Sequence, residues 1–228
     1  MTRIKICGIT TLEDALACAE LGADMLGFNF YRKTPRYIAP DTVSAITDTL
    51  RQNFGVECPL LVGVFVNESR ENIRQIMDGA GLDLAQLSGD EPSNFLSRLD
   101  RPVIKAIRPR QLNEACDQSV QYIRYAPQTE HMPSILVDAY HKELYGGTGE
   151  QASIEVALAA KALVPRLMLA GGLTPDNVAT RVQAIQPWAV DVASGVESGT
   201  PGVKNRDKVQ AFIRAVHLAP GDDYGFDN

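Results

Sequence analysis

Two residues invite a proton-transfer reading. Cys7 closes the run Ile4–Cys7 and is followed by Gly8, and Asp138 closes the apolar run Ile135-Leu136-Val137. A thiol acts as a base only as its thiolate, and its ordinary pKa of about 8.5 calls for a site that favours the anion. A carboxyl group set against an apolar run is partly withdrawn from water, which raises its pKa and lets it donate a proton near neutrality. Cys7 as base and Asp138 as acid, facing each other across one cleft, would suit an isomerisation by proton relay. The plainer readings are a small core hydrophobe for the cysteine and a loop-ordering residue for the aspartate. Cys18 and Cys58 are taken as core hydrophobes, and Cys116 as lying on a helix face.

Charges that could support such a pair are also present. Lys5 stands two residues before Cys7, so both share one side of a strand. Asp191 lies in the run Ala189–Ala193, near the far end of the chain. If that run neighbours the first strand, Lys5 and Asp191 form a buried pair beneath Cys7, because an unpaired buried ammonium is costly. Arg36 follows Lys33-Thr34-Pro35, and its guanidinium could grip a carboxylate through two parallel bonds or simply stay solvated. Gly171-Gly172 and Ser194-Gly195 follow later apolar runs. Their bare backbone N–H groups suit a phosphate beside a helix N-terminus, although glycine pairs also make ordinary turns. His131, His141 and His217 read as loop or surface residues, with His141 notable only for its nearness to Asp138.

The elements that must position these groups alternate strictly. Strands are expected at Ile4–Cys7, Met25–Phe30, Leu60–Phe65, Leu84–Leu87, Val103–Ile107, Ser134–Asp138, Arg166–Ala170 and Ala189–Ala193. Helical periodicity occupies Leu12–Leu21, Asp41–Arg51, Arg70–Asp78, Pro92–Leu99, Gln111–Ile123, Ile154–Leu163, Pro175–Ile185 and Arg206–Val216. Thr11, Ser69 and Thr174 offer N-cap oxygens, and Pro40 and Pro175 suit a first helical turn. Strict alternation implies a parallel sheet with helical crossovers. Eight repeats favour a single (β/α)8 TIM barrel, an α/β fold with a parallel eight-stranded core, over an open doubly wound sheet. In such a barrel the site is built where strands end, with phosphate often held after the last two. Every candidate named above, and the Gly146-Gly147-Thr148-Gly149 stretch, falls on that rim.

Bulk properties narrow the class further. The chain has 228 residues, 45% hydrophobic and 22% charged, with a formal charge of −6. It has no Lys/Arg run of the kind a nucleic-acid binder carries, so nucleic acid is not an expected partner. No apolar stretch approaches the roughly 20 residues needed to span a bilayer, and no membrane association is expected. The N-terminus shows no signal-like apolar core, and the four cysteines are scattered, without metal-ligand spacing. These features point to a cytoplasmic protein with reduced thiols. One domain over residues 1–217 is expected, with 218–228 as a flexible tail. The expected partner is a small phosphosugar substrate; no feature identifies a protein partner.

Taken together, these motifs resemble the phosphoribosylanthranilate isomerase family of tryptophan biosynthesis. The resemblance rests on Lys5-Ile6-Cys7-Gly8-Ile9-Thr10, Gly27-Phe28 through Thr34-Pro35-Arg36, and Gln86-Leu87-Ser88-Gly89-Asp90-Glu91. It continues through Val137-Asp138-Ala139, the GGTG stretch, Ala170-Gly171-Gly172-Leu173 and Asp191-Val192-Ala193-Ser194-Gly195-Val196-Glu197. It implies an Amadori rearrangement of N-(5′-phosphoribosyl)anthranilate without metal or organic cofactor. Asp138 would protonate the ribose ring oxygen, and Cys7 would remove the C2′ proton. Arg36 would hold the anthranilate carboxylate, and the two glycine loops the phosphate. The chain departs from the family pattern at Ser88, where a histidine is usual, and after the GGTG stretch, where an aromatic–acidic segment is usual. Ser88 can exchange hydrogen bonds but cannot carry charge.

Two other readings belong to different classes. A related barrel isomerase of histidine biosynthesis would use paired aspartates, one at the position Cys7 occupies, and a single phosphate site fits it less well. A non-catalytic or altered-specificity phosphosugar-binding barrel would bind without turnover, and the presence of Cys7 with Asp138 argues against it.

Overall fold

The computed structural model describes residues 1–138 and 153–219. Strands β1 (Arg3–Cys7), β2 (Met25–Asn29), β3 (Leu60–Phe65) and β4 (Leu84–Leu87) make the first half of the sheet. The second half holds β5 (Val103–Ile107), β6 (Ile135–Val137), β7 (Leu167–Leu169) and β8 (Ala189–Val192). Each strand pairs in parallel with the next, and β8 returns to β1 to close the barrel. Between them run α1 (Leu12–Glu20), α2 (Pro40–Phe54), α3 (Arg70–Gly79), α4 (Ser93–Leu96), α5 (Leu112–Ile123), α6 (Ile154–Lys161), α7 (Val178–Ile185) and α8 (Arg206–Leu218).

Side chains alternate across a strand, so each strand feeds two separate cores. Met25, Val62, Leu84, Ile104, Leu136 and Met168 pack together inside the barrel. Ile4, Phe28, Phe65, Val137, Val190 and Phe212 pack between sheet and helices. Two residues beyond the inner layer, the same alternation brings Gly27, Val64, Gln86, Asp138, Ala170 and Asp191 to the inward face nearer the barrel mouth. The helices begin much as expected at Thr11 and Ser69. Thr11 Oγ1 accepts from the Asp14 N–H, and Ser69 Oγ accepts from the Asn72 N–H, both at 3.1 Å. Pro40 occupies the first turn of α2, where its missing N–H costs nothing.

Most element ends shift by one to three residues from the sequence reading, and three of the differences bear on the loops and the chain end. The α7 helix starts at Val178, not Pro175, because Asn177 folds back: its Oδ1 accepts from the Thr174 N–H and its Nδ2 donates to the Gly172 carbonyl. Thr174 is therefore part of a turn and does not cap α7. The α4 helix stops at Leu96, and the chain tightens into i→i+3 bonds that carry it to Leu99. The α8 helix runs to Leu218, into the expected tail, of which 220–228 lie outside the described residues. Cys18 is buried, but Cys58 is only partly so.

Candidate active site

Barrel closure decides the surroundings of Cys7. The β1–β8 register sets Lys5 opposite Asp191, and Lys5 Nζ donates to Asp191 Oδ1 at 2.9 Å. Lys5 is fully buried and Asp191 is 11% exposed, so this is the buried pair expected from strand alternation. The Lys5 ammonium also interacts electrostatically with the Cys7 sulfur. Gly27, opposite Cys7 on β2, leaves the space for both groups: a Cβ there would lie 2.8 Å from Cys7 Sγ and 3.0 Å from Lys5 Nζ.

The electrostatics run partly against the sequence expectation. Burial pushes the Cys7 thiol above its ordinary range, and the Lys5 ammonium opposes this without reversing it. Burial alone would lower the Lys5 pKa, but the Asp191 carboxylate and the Cys7 sulfur more than offset it, and Lys5 stays charged. The free site therefore keeps a protonated thiol beside a fixed cation, whereas the sequence reading expected it to favour the thiolate. The cause is complete desolvation, which no single neighbouring charge cancels.

Arg36 is not a solvated loop residue. Its Nε and Nη2 donate to the two carboxylate oxygens of Glu197 at 2.7 and 2.8 Å, a bidentate pair. Its stem lies against Gly8, the residue after Cys7. Glu197 is itself buried and also accepts from Gly202 N–H at 2.9 Å and from Lys204 Nζ at 3.3 Å. Burial would raise the Glu197 carboxyl, but Arg36, the Gly202 N–H and Lys204 together hold it below the usual carboxylate range. The sequence reading counted Glu197 only as part of a glycine loop. An acidic residue in an otherwise small and apolar turn was the available signal.

One cleft at the mouth gathers the candidates: Cys7, Arg36, Asp138, Gly171, Gly172 and Ser194 all line it. Asp191 lines it too, while Lys5 lies beneath. Gly171 and Gly172 have φ values of +95° and +59°, a left-handed pair that side chains rarely adopt. Ser194 opens a short 3₁₀ turn, Ser194–Val196, whose first N–H groups have no partner inside the turn. Gly195 packs against the Leu173 carbonyl so closely that a Cβ would collide with it, which locks the two loops together. The GGTG stretch and His141 lie outside the described residues; His131 and His217 are exposed. A larger cleft of about 570 Å³ lies on the flank among Tyr37, Ser44, Asn72 and Gln75, and no acid–base candidate reaches it.

Further polar side chains line the mouth cleft, Asn29, Thr34, Gln86 and Ser88, and the last two bond to each other. Gln86 Nε2 donates to Ser88 Oγ at 3.2 Å, while Gln86 Oε1 is buried with no hydrogen-bond partner among the described residues. A buried acceptor left unpaired costs about 1–3 kcal/mol. The sequence reading quoted this stretch only for its resemblance, although the alternation from Leu84 already points Gln86 inward.

The chain matches the family described as N-(5′phosphoribosyl)anthranilate (PRA) isomerase over residues 4–215. It is 44% identical to the N-(5′-phosphoribosyl)anthranilate isomerase of Trichlorobacter lovleyi over 214 residues, which cover 94% of this chain and 97% of the relative. The Geobacter sulfurreducens protein of the same name is also 44% identical over 214 residues, covering 94% and 98%. Among solved structures, phosphoribosyl anthranilate isomerase from Thermotoga maritima superposes with a TM-score of 0.83 at 35% identity, covering 95% of this chain and 99% of that one. A phosphoribosyl anthranilate isomerase solved with reduced 1-(o-carboxyphenylamino)-1-deoxyribulose 5-phosphate gives 0.80 at 34% identity, with the same coverage.

Proposed function

We propose that this chain, which belongs to the N-(5′-phosphoribosyl)anthranilate isomerase family, works with Cys7 as general base and Asp138 as general acid. It is an isomerase that converts N-(5′-phosphoribosyl)anthranilate to 1-(2-carboxyphenylamino)-1-deoxyribulose 5-phosphate by an Amadori rearrangement in tryptophan biosynthesis. Asp138 protonates the ribose ring oxygen, and the ring opens to a Schiff base as the amine nitrogen releases its lone pair toward C1′. Once the Cys7 thiol has released its own proton to solvent, the thiolate takes the C2′ proton, leaving an enolamine that gains a proton at C1′ and becomes the ketone. The substrate nitrogen supplies the electron push, so this chemistry calls for no cofactor.

The remaining residues position substrate and charge. Lys5, held by Asp191, stabilises the thiolate when it forms, which offsets part of the burial cost. Glu197 takes the Nε side of the Arg36 guanidinium, and the donors that remain hold the anthranilate carboxylate. Gly171 and Gly172 with Ser194 and Gly195 present N–H groups to the phosphate at the ends of β7 and β8. The observation that carries the reading is the convergence of Cys7, Asp138 and Arg36 on one cleft that also opens onto both glycine loops. The barrel, through the end of α8, acts as one catalytic domain in the cytoplasm, where free thiols stay reduced. Among the described residues no helix is long and apolar enough to cross a membrane.

The test is the decay of anthranilate fluorescence on mixing protein with fresh phosphoribosylanthranilate. The parent should accelerate the decay well above the spontaneous rate. Cys7→Ser and Asp138→Asn should each lower turnover by about 10²–10⁴-fold, the range for loss of a general acid or base. Full activity in either variant sinks that residue's role.

A further inference from the structure

We propose that Gln86 and Ser88 form a pair that reads a hydroxyl on the ribosyl chain of the substrate, an inference that rests on the isomerase reading above. Gln86 is 5% exposed on β4, and its Oε1 is one of few buried polar side-chain atoms without a partner among the described residues. Its strand neighbours are Val64 on β3 and Ile104 on β5, and neither side chain can bond an amide. A bare carbonyl between apolar walls is costly. Leucine would fill similar space without that cost, so the carbonyl points to a ligand atom that meets it.

The partner's chemistry follows from what the pair has left to offer. Ser88 Oγ already accepts from Gln86 Nε2, so its own proton is what it has to give. Gln86 Oε1 can only accept. Together they present the bare Gln86 carbonyl as acceptor, with the Ser88 hydroxyl proton and the second Gln86 N–H as donors, beside the cleft that holds Cys7 and Asp138. The phosphate and carboxylate of the substrate are acceptors and would be repelled by the carbonyl. The anilino nitrogen donates, but its lone pair is delocalised and accepts poorly. A sugar hydroxyl donates and accepts at once, and it alone among the substrate's polar groups matches both halves.

Calorimetry with reduced 1-(o-carboxyphenylamino)-1-deoxyribulose 5-phosphate tests this without turnover. The ligand is compared with its 2′-deoxy, 3′-deoxy and 4′-deoxy forms on the parent, Gln86→Leu and Ser88→Ala. Gln86→Leu should weaken the full ligand about tenfold. Against one of the three deoxy forms it should cause no loss, which identifies the hydroxyl. Ser88→Ala should follow the same pattern with a smaller factor. The melting temperature of Gln86→Leu should hold or rise, because an unmet acceptor has been removed. Equal weakening of all four ligands, or no weakening of the full one, overturns the inference. So does a uniform loss with a fall in melting temperature, which marks a packing role. A parent that fails to bind even the full ligand overturns the isomerase reading first, and this inference with it.

Discussion

Lys5 and Lys105 are buried ammonium groups on strands of the same barrel, each paired with one carboxylate, yet they sit in opposite worlds. Lys5 faces inward, and its neighbours are Asp191 and the Cys7 sulfur. Lys105 faces outward from β5 and donates to Glu91 Oε2 at 3.0 Å, the Leu87 carbonyl at 3.2 Å and the Gly89 carbonyl at 2.6 Å. Glu91 in turn accepts from the Asn67 and Gly89 N–H groups. Burial pushes the Lys105 ammonium below its ordinary range despite Glu91, whereas Lys5 ends above it. The Lys105 donors are spent on backbone carbonyls and one carboxylate, which tie the loop after β4 in place. The Lys5 charge instead stands beside a group that titrates. Burial and pairing alone do not mark a functional lysine; the chemistry of the third neighbour does.

Substitutions can break or sharpen that contrast. The largest effect is expected from Lys105→Met. Removing one partner of a buried pair costs about 3–5 kcal/mol, which at roughly 2–4 °C per kcal/mol for a chain of this size lowers the melting temperature by about 6–20 °C. Turnover per folded molecule should stay within about threefold. Lost turnover at an unchanged melting temperature would erase the distinction between the two lysines.

Lys5→Met should cut turnover by about 10–100-fold, less than the roughly 10²–10⁴-fold expected for loss of the base itself. Its diagnostic is the thiolate absorbance near 240 nm, with Cys7→Ser as the blank. Lys5 pulls the Cys7 thiol down, so without it the titration should move to still higher pH. An unmoved titration would strip Lys5 of its electrostatic role.

Glu197→Gln probes a third buried lysine, Lys204, which donates to both Glu197 and the Ala193 carbonyl. Arg36 loses its charged anchor in this variant, so KM should rise about tenfold with kcat nearly unchanged. The depressed folded pKa of Glu197 also has a stability consequence. Its contribution is complete above the ordinary carboxylate pKa near 4.3 and is lost as pH falls through that value toward the folded one. Thermal melts of Glu197→Gln should therefore lose less stability on acidification than those of the parent. Equal acid sensitivity would mean that Glu197 titrates elsewhere.

The smallest effect should come from Asp191→Asn, read by the same thiol titration. Asp191 raises the Cys7 pKa, so its neutralisation should move the titration to lower pH, opposite in sign to Lys5→Met. Two shifts of the same sign would break the proposed electrostatic arrangement.

Much of the architecture was legible because it is local. The strands Leu60–Phe65, Leu84–Leu87 and Val103–Ile107 fall where short, mostly apolar runs end in turn residues. The Lys5–Asp191 pair followed from two-residue alternation once the eighth strand was placed beside the first. The start of α7 was not legible, because Asn177 diverts the Thr174 N–H through a side-chain bond that periodicity cannot register. Arg36 was legible as a gripping residue but not as Glu197's partner, since 161 residues separate them.

By itself, the sequence determined the order of eight strands and eight helices, and the end of each strand where unusual residues gather. Those are properties of adjacent residues, and hydrophobic periodicity encodes them directly. Tertiary structure decided which buried charges meet, which amide is left unpaired, and the direction in which the Cys7 thiol moves. Each of these sums contributions from several strands, and only the closed barrel brings those strands within range of one another.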